Sequence, residues 1–214
     1  MAPAFSHQQA RELVCEMLRL FYGKGWVSGT GGGICGAVPG GRLLLAPTGV
    51  HKERVRPEDL FVVDAASGAV LESPPLLSPS ECAPIFRAIV SAAGAGSVVH
   101  SHALSAVLAA DLAPGDEIVI ERLEMLKGLP GVSNADRHTV AVIGNTAREP
   151  ELTGSVEGVL SNPRFSAARA ILVRDHGAYI WGSDMWEAKK HTEVYHFLFE
   201  ATVARSSSGF GRSS

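Results

Sequence analysis

The sequence predicts an α+β fold whose sheet is at least partly antiparallel, and three observations lead to it. Apolar residues at helical spacing mark an amphipathic helix near each end of the chain. Two apolar runs, 60–64 and 69–71, flank Ala66-Ser67-Gly68 and read as a β-hairpin, which disfavours a purely parallel sheet. Further short β-like runs, at 42–46, 98–99, 117–120, 139–143, 170–173 and 178–182, are separated by loops and helical stretches.

In chain order, Ala10, Leu13, Val14, Met17, Leu18 and Phe21 form the inner stripe of a helix over 8–22, with Ser6 and Gln9 as a capping box. Gly23-Lys24-Gly25 stops it. The glycine-dense Gly29-Thr30-Gly31-Gly32-Gly33 follows, where consecutive amides can converge on an anion or simply turn the chain. The strand at 42–46 runs into Pro47-Thr48-Gly49, a second small-residue turn placed to form another wall of the same pocket. Cys82, Ile85, Phe86, Ile89, Val90 and Ala93 repeat at helical spacing, and Pro84, which lacks an N–H, puts the helix start near 80–82 rather than at Ser78. A thiol at a helix N-terminus can have a lowered pKa, although packing is the usual fate of a free cysteine. Residues 103–110 and 149–160 read as shorter helices. The last helix starts near Asp184, with Glu187 as cap partner and Met185, Ala188, Thr192, Tyr195, Phe199 and Val203 facing inward, which makes His191 and His196 packing or surface residues rather than ligands.

The length of 214 residues suits one domain over 1–205, and the Ser- and Gly-rich 206–214 reads as a disordered tail. A net charge of −3 without any Lys/Arg-rich run speaks against nucleic acid or anionic membrane as principal partners. No segment reads as a signal peptide or a membrane span, so a cytoplasmic protein is expected. Cys15, Cys35 and Cys82 are odd in number and widely spaced, which suits reduced thiols.

The chemistry concentrates at Val99-His100-Ser101-His102. In extended backbone His100 and His102 leave the same face, as two ligands of one metal must, although a His-x-His pair alone is more often two ordinary polar residues. His176, beside Gly177 and between two strands, is placed to reach a site at the sheet's edge.

Several segments in the right order carry a resemblance over nearly the whole chain. They are Gly29-Thr30-Gly31-Gly32-Gly33-Ile34, Ala46-Pro47-Thr48-Gly49-Val50, Val99-His100-Ser101-His102, Glu124-Met125-Leu126-Lys127-Gly128 and Arg174-Asp175-His176-Gly177-Ala178-Tyr179-Ile180-Trp181-Gly182. Together they resemble the class II aldolase/adducin family. Gly25-Trp26-Val27, Gly49-Val50-His51-Lys52-Glu53-Arg54, Arg56-Pro57-Glu58-Asp59 and Cys82-Ala83-Pro84-Ile85-Phe86 narrow the resemblance to a dehydratase branch of that family.

The resemblance implies an α/β/α fold with a predominantly antiparallel central sheet, and a homotetramer with active sites between neighbouring subunits. It implies one Zn2+ per subunit on His100, His102 and His176, a ligand set that leaves positions open for substrate oxygens. The implied activity is a hydro-lyase step of methionine salvage on a phosphorylated ketose. Glu124 matches the acid/base, Cys82 a substrate contact, and Thr30, Gly31, Gly32, Gly33, Thr48, Gly49 and Ser80 the phosphate-binding region. Glu81 matches the acid/base glutamate of the family's sugar-phosphate aldolases, which keeps an aldolase or epimerase open, as the adducin branch does a non-catalytic interaction protein. Gly33 in place of the aldolases' asparagine, and the Glu124 segment, favour the dehydratase; Glu121-Arg122-Leu123 departs from the Thr-His-Gln run familiar there.

Overall fold

The structure, a computed structural model, describes residues 6–208. Nine strands form one sheet in the order β4-β3-β2-β1-β5-β9-β8-β7-β6. They are β1 (Gly33–Val38), β2 (Arg42–Leu45), β3 (Phe61–Asp64), β4 (Val70–Glu72), β5 (Ser97–Ser101), β6 (Glu117–Ile120), β7 (His138–Ile143), β8 (Ala170–Val173) and β9 (Gly177–Gly182). Every pairing is antiparallel except β7 with β8. The hairpin expected from the sequence is β3–β4, closed by an Asp64 carboxylate that accepts from the N–H and hydroxyl of Ser67.

Alternation along the strands divides the core into two faces. Val99 and Leu172 face α1 (His7–Gly23), α3 (Leu104–Asp111) and α5 (Met185–Ser207), whereas Val98 and Ile171 face α2 (Ala83–Ala93) and α4 (Thr153–Leu160). The layers are therefore α/β/α. Burying each Leu, Ile or Phe of these clusters contributes roughly 1.5–3 kcal/mol. No helix among the described residues is long and apolar enough to cross a membrane.

The caps agree with the sequence. Ser6 and Gln9 close a reciprocal box on α1, and Asp184 accepts from the N–H of Glu187 on α5. Cys82 stands at the N-cap of α2 with Pro84 in its first turn, and the Ser80 hydroxyl accepts from the Cys82 N–H at 3.2 Å. The segment at 149–160 is split into a 3-10 turn (Glu149–Leu152) and α4. Ser206 and Ser207, expected in the tail, are the last residues of α5; the rest of that tail beyond Ser208 lies outside the described residues. Strand β1 has no counterpart in the sequence reading, because Gly33-Ile34-Cys35-Gly36-Ala37-Val38 lacks the β-branched run that marks a strand. Its small residues serve packing: a Cβ on Gly36 would lie 2.9 Å from the Met185 sulfur at the start of α5.

Two histidines are buried as neutral rings. His196 stacks on Trp26 at 4.3 Å between centroids, and His138 lies 2.9 Å from the Tyr195 hydroxyl. Burial lowers the His196 pKa to about 3, and burial followed by the Arg169 charge lowers that of His138 to about 4. A group depressed on folding contributes stability that is present above its unfolded pKa and is lost as pH falls towards the folded value. Stability is therefore expected to decline from about pH 6.5 towards pH 4, by a few kcal/mol in total. Urea midpoints measured across that window test this, and a flat profile would contradict burial of the neutral forms.

Candidate metal centre

Strand β5 is central and wholly buried, with His100 registered against Gly33 of β1 on one side and Tyr179 of β9 on the other. Its alternation sets the chemistry. Ser101 faces α5, where its hydroxyl meets His196 Nε2 at 2.9 Å, while His100 and His102 share the opposite side. The His102 N–H donates to the Trp26 carbonyl at 2.8 Å, which fixes the chain just past the strand end. His176 comes from the β8–β9 turn, where Asp175 takes a left-handed φ of 53°.

The three rings converge. Nε2 of His100 lies 2.9 Å from that of His102 and 3.1 Å from that of His176, and the His102–His176 separation is 3.1 Å. Their tautomers follow from the other ring nitrogens. His100 Nδ1 sits 3.2 Å from the Ala178 carbonyl, which can only accept, so Nδ1 carries the proton. His176 Nδ1 donates to Asn145 Oδ1 at 3.1 Å, and the backbone N–H of Thr146 donates to the same oxygen. The Nε2 atoms are thus the ring nitrogens left to face one another at the centre of the site. A zinc ion bonds imidazole nitrogen at about 2.0–2.1 Å, which suits a triangle of this size. Burial first, then the charges of the neighbouring rings, lowers the His102 pKa to about 3, and burial likewise lowers that of His176. Neutral imidazoles are what metal ligation requires.

A carboxylate that the sequence reading missed lies against this triad. Glu149 Oε1 is 2.8 Å from His100 Nε2 and 3.9 Å from His176 Nε2. It accepts from the Tyr179 hydroxyl at 2.5 Å and from the Cys82 thiol at 3.1 Å. Burial would raise its pKa, but the contact with His100 and the hydrogen bonds from Tyr179 and Cys82 outweigh it, so Glu149 is an anion. Burial, then the Glu149 charge, pushes the Cys82 thiol well up, against the lowered value that a helix N-terminus suggests. Cys82 is thus a protonated donor. In sequence Glu149 precedes a proline at a helix start, where an acidic residue is commonplace. Asn145 was missed for the same reason: nothing in its neighbours marks it out.

The small-residue turns adjoin the triad. A Cβ on Gly31 would stand 2.5 Å from His102 Nδ1, and one on Gly32, at φ 69°, would stand 2.8 Å from the His100 carbonyl. Close approach to the histidines therefore accounts for two of the glycines. Lys52, almost fully buried, joins the two turns: its ammonium donates to the carbonyls of Thr30 (2.9 Å), Pro47 (3.2 Å) and Val50 (3.3 Å). Thr48 is held by its N–H on the Ser78 carbonyl, and Pro47 bridges Pro79, so the segment carrying Ser80 lies beside Thr48 and Gly49. Burial lowers the Lys52 pKa, and among the described residues no carboxylate lies within ion-pair distance.

Glu124 is placed differently. It begins an exposed 3-10 turn (Glu124–Gly128), and its carboxylate accepts from Lys127 at 2.6 Å and Asn134 at 2.7 Å rather than joining the histidines of its own chain. The Lys127 hydrogen bond and charge, aided by Asn134, lower its pKa. Glu81 is exposed in the turn before α2. His191 and His196 are buried packing residues, as expected from the inner stripe of α5.

The sequence pattern of the Class II Aldolase and Adducin N-terminal domain matches residues 12–203. A methylthioribulose-1-phosphate dehydratase from Gallus gallus is 39% identical over 208 residues, covering 93% of this chain and 84% of its own. A probable bifunctional methylthioribulose-1-phosphate dehydratase/enolase-phosphatase E1 from Ricinus communis is 39% identical over 92% of this chain, which spans only 40% of that longer protein. The L-fuculose-1-phosphate aldolase of Thermus thermophilus superposes with a TM-score of 0.73 at 20% identity, over 97% of this chain and 100% of that one. With its pattern matched from the first helix to the last, the chain belongs to the class II aldolase and adducin family.

Proposed function

We propose that the protein is a hydro-lyase that converts 5-methylthioribulose 1-phosphate to 2,3-diketo-5-methylthiopentyl 1-phosphate in methionine salvage, as a cytoplasmic homotetramer with one Zn2+ per subunit. The observation that carries the reading is the convergence of three imidazole Nε2 atoms in a chain 39% identical to a dehydratase of that name. His100, His102 and His176 would hold the ion, which when bound supplies Lewis-acid stabilisation of negative charge developing on the substrate's C2 and C3 oxygens.

The chain's own groups supply the rest. The amides and hydroxyls of Thr30, Gly31, Gly32, Gly33, Thr48, Gly49 and Ser80 bind the phosphate, with the fixed charge of Lys52 beneath both turns favouring an anion. The protonated Cys82 donates near the reacting carbons. Glu124 accepts the proton from C3 and returns it to the departing C4 hydroxyl, so that water leaves and the enol product ketonises. Its lowered pKa keeps it in the ionised form that a base requires, while reducing its basicity. Because it is exposed on its own subunit, Glu124 serves the histidines of a neighbouring one in this reading.

The test is metal analysis with incubation on methylthioribulose 1-phosphate and identification of the product. Loss of one water is expected, with kcat of Glu124→Gln reduced by about a hundredfold or more and metal content unchanged. Full activity in that variant would remove Glu124 from the role. Carbon-carbon cleavage or epimerisation, abolished by Glu81→Gln, would replace the dehydratase with the aldolase or epimerase alternative. A protein that binds no metal and turns over none of these substrates would leave the non-catalytic one.

A further inference from the structure

Lys52 is a buried cation whose charge the fold leaves unmatched. It begins the 3-10 turn Lys52–Arg54 and is only 2% exposed. Its ammonium donates to the carbonyls of Thr30, Pro47 and Val50 at 2.9, 3.2 and 3.3 Å. A carbonyl can only accept, and three of them take up the full set of N–H groups that a protonated lysine carries. Hydrogen bonding is therefore complete, whereas charge is not: among the described residues no carboxylate lies within ion-pair distance of the ammonium. A fold that needed only a link between these carbonyls could use a neutral donor, which is far less costly to bury.

What the lysine joins points to a ligand. Strand β1 begins and β2 ends at the same end of the sheet, and their pairing stops at Cys35 and Leu45. Gly33 is registered against His100, so the candidate metal ligands emerge at that end too. The turns at 29–33 and 47–50 lie beyond the last rung between β1 and β2, and Lys52 ties one to the other. The first turn packs against His102, whose Nδ1 would lie 2.5 Å from a Cβ on Gly31. Gly29, Thr30 and Gly49 are exposed and Thr48 is half-buried. An anion can therefore reach the turns but not the ammonium, whose N–H groups are all taken.

We propose that Lys52 is a positioning residue of the anion site: it ties the two turns into one cradle held beside His102, and its uncompensated charge is matched by the phosphate of the substrate. It acts through the turns and does not touch the anion. A charge beneath low-dielectric turns is felt by an anion on their surface more strongly than the same charge in water. The inference deepens the proposed function and rests on it for the nature of the ligand.

The experiment measures the Kd of inorganic phosphate by calorimetry, zinc content, and kinetics on methylthioribulose 1-phosphate, for the zinc-loaded wild type, Lys52→Met and Lys52→Ala. Both variants are expected to bind phosphate about tenfold or more weakly and to raise KM by a similar factor, with kcat less affected and zinc content unchanged. In Lys52→Ala, n-propylammonium is expected to restore phosphate affinity, whereas tetramethylammonium, a charge without N–H groups, is not. Unchanged phosphate affinity in Lys52→Met overturns the assignment. Equal restoration by both cations overturns the tie between the turns, and restoration by neither reduces Lys52 to a packing residue, which overturns it too. A wild type that binds no phosphate overturns it whatever the variants do. A wild type that binds phosphate and leaves methylthioribulose 1-phosphate intact would instead overturn the dehydratase reading, with the role of Lys52 still standing.

Discussion

Under the proposed function, His102→Ala is expected to bind zinc more than about a hundredfold less tightly than the wild type and to lose the proposed dehydratase activity. Removal of an outer support of a metal ligand typically costs 10–100-fold in affinity, so deletion of a ligand sets that as its lower bound. His102 has little else to do: its Nε2 faces only the other two rings, and its backbone contact to Trp26 survives the substitution. The fold should therefore persist, with the thermal midpoint in excess chelator close to that of the metal-stripped wild type. Metal content by elemental analysis alongside circular dichroism checks this. A variant that retains both stoichiometric zinc and activity would show that the triad is not the metal centre.

Gly177→Ala is expected to be the most disruptive single-methyl change at the site, destabilising by more than about 4 kcal/mol or preventing soluble expression. The added Cβ would fall 1.9 Å from the Ser101 carbonyl oxygen and 3.1 Å from the His102 Cα, at a φ of 153° that side chains rarely adopt. Neither obstacle is a flexible side chain. Relief requires β5 and β9 to separate where Ser101 pairs with Ala178, which would carry His100 and His102 away from His176. Stability by urea denaturation and zinc stoichiometry should fall together; a Gly177→Ala variant with normal stability would refute the close packing. Gly31→Ala offers a contrast, since its obstacle is the movable ring of His102.

How much of this was legible in the sequence depends on how local the signal is. The ends of α1 and α5 were readable because a cap is written in three or four neighbouring residues, and the β3–β4 hairpin because a turn is. That His100 and His102 share one face was readable because a strand's alternation is fixed by covalent geometry. Strand β1 was not, since its glycines and cysteine are chosen for what lies across the sheet, Met185 and the neighbouring strands, which the local sequence does not reveal. Glu149 was invisible for a sharper reason. It is 49 positions from His100 in numbering and marks an ordinary helix start, and only the folding of β7 beside β8 brings it over the triad. Glu124 came from resemblance alone; nothing in its own environment distinguishes it from a solvated glutamate paired with lysine.

The lone parallel pairing, β7 with β8, forces a crossover from Ile143 to Ala170, and that connection contributes both Asn145 and Glu149 before its helix begins. The donors are thus clustered at one end of a connector that continues through α4, packed with α2 on the same face of the sheet as His100, and the turn at Pro163–Phe165. A shift of one residue before Leu152 would displace the partner of His176 and the carboxylate beside His100 together. Five residues of chain, from Asn145 to Glu149, therefore tie the crossover to the histidine cluster, and the position of that short head depends on the parallel pairing that creates the crossover.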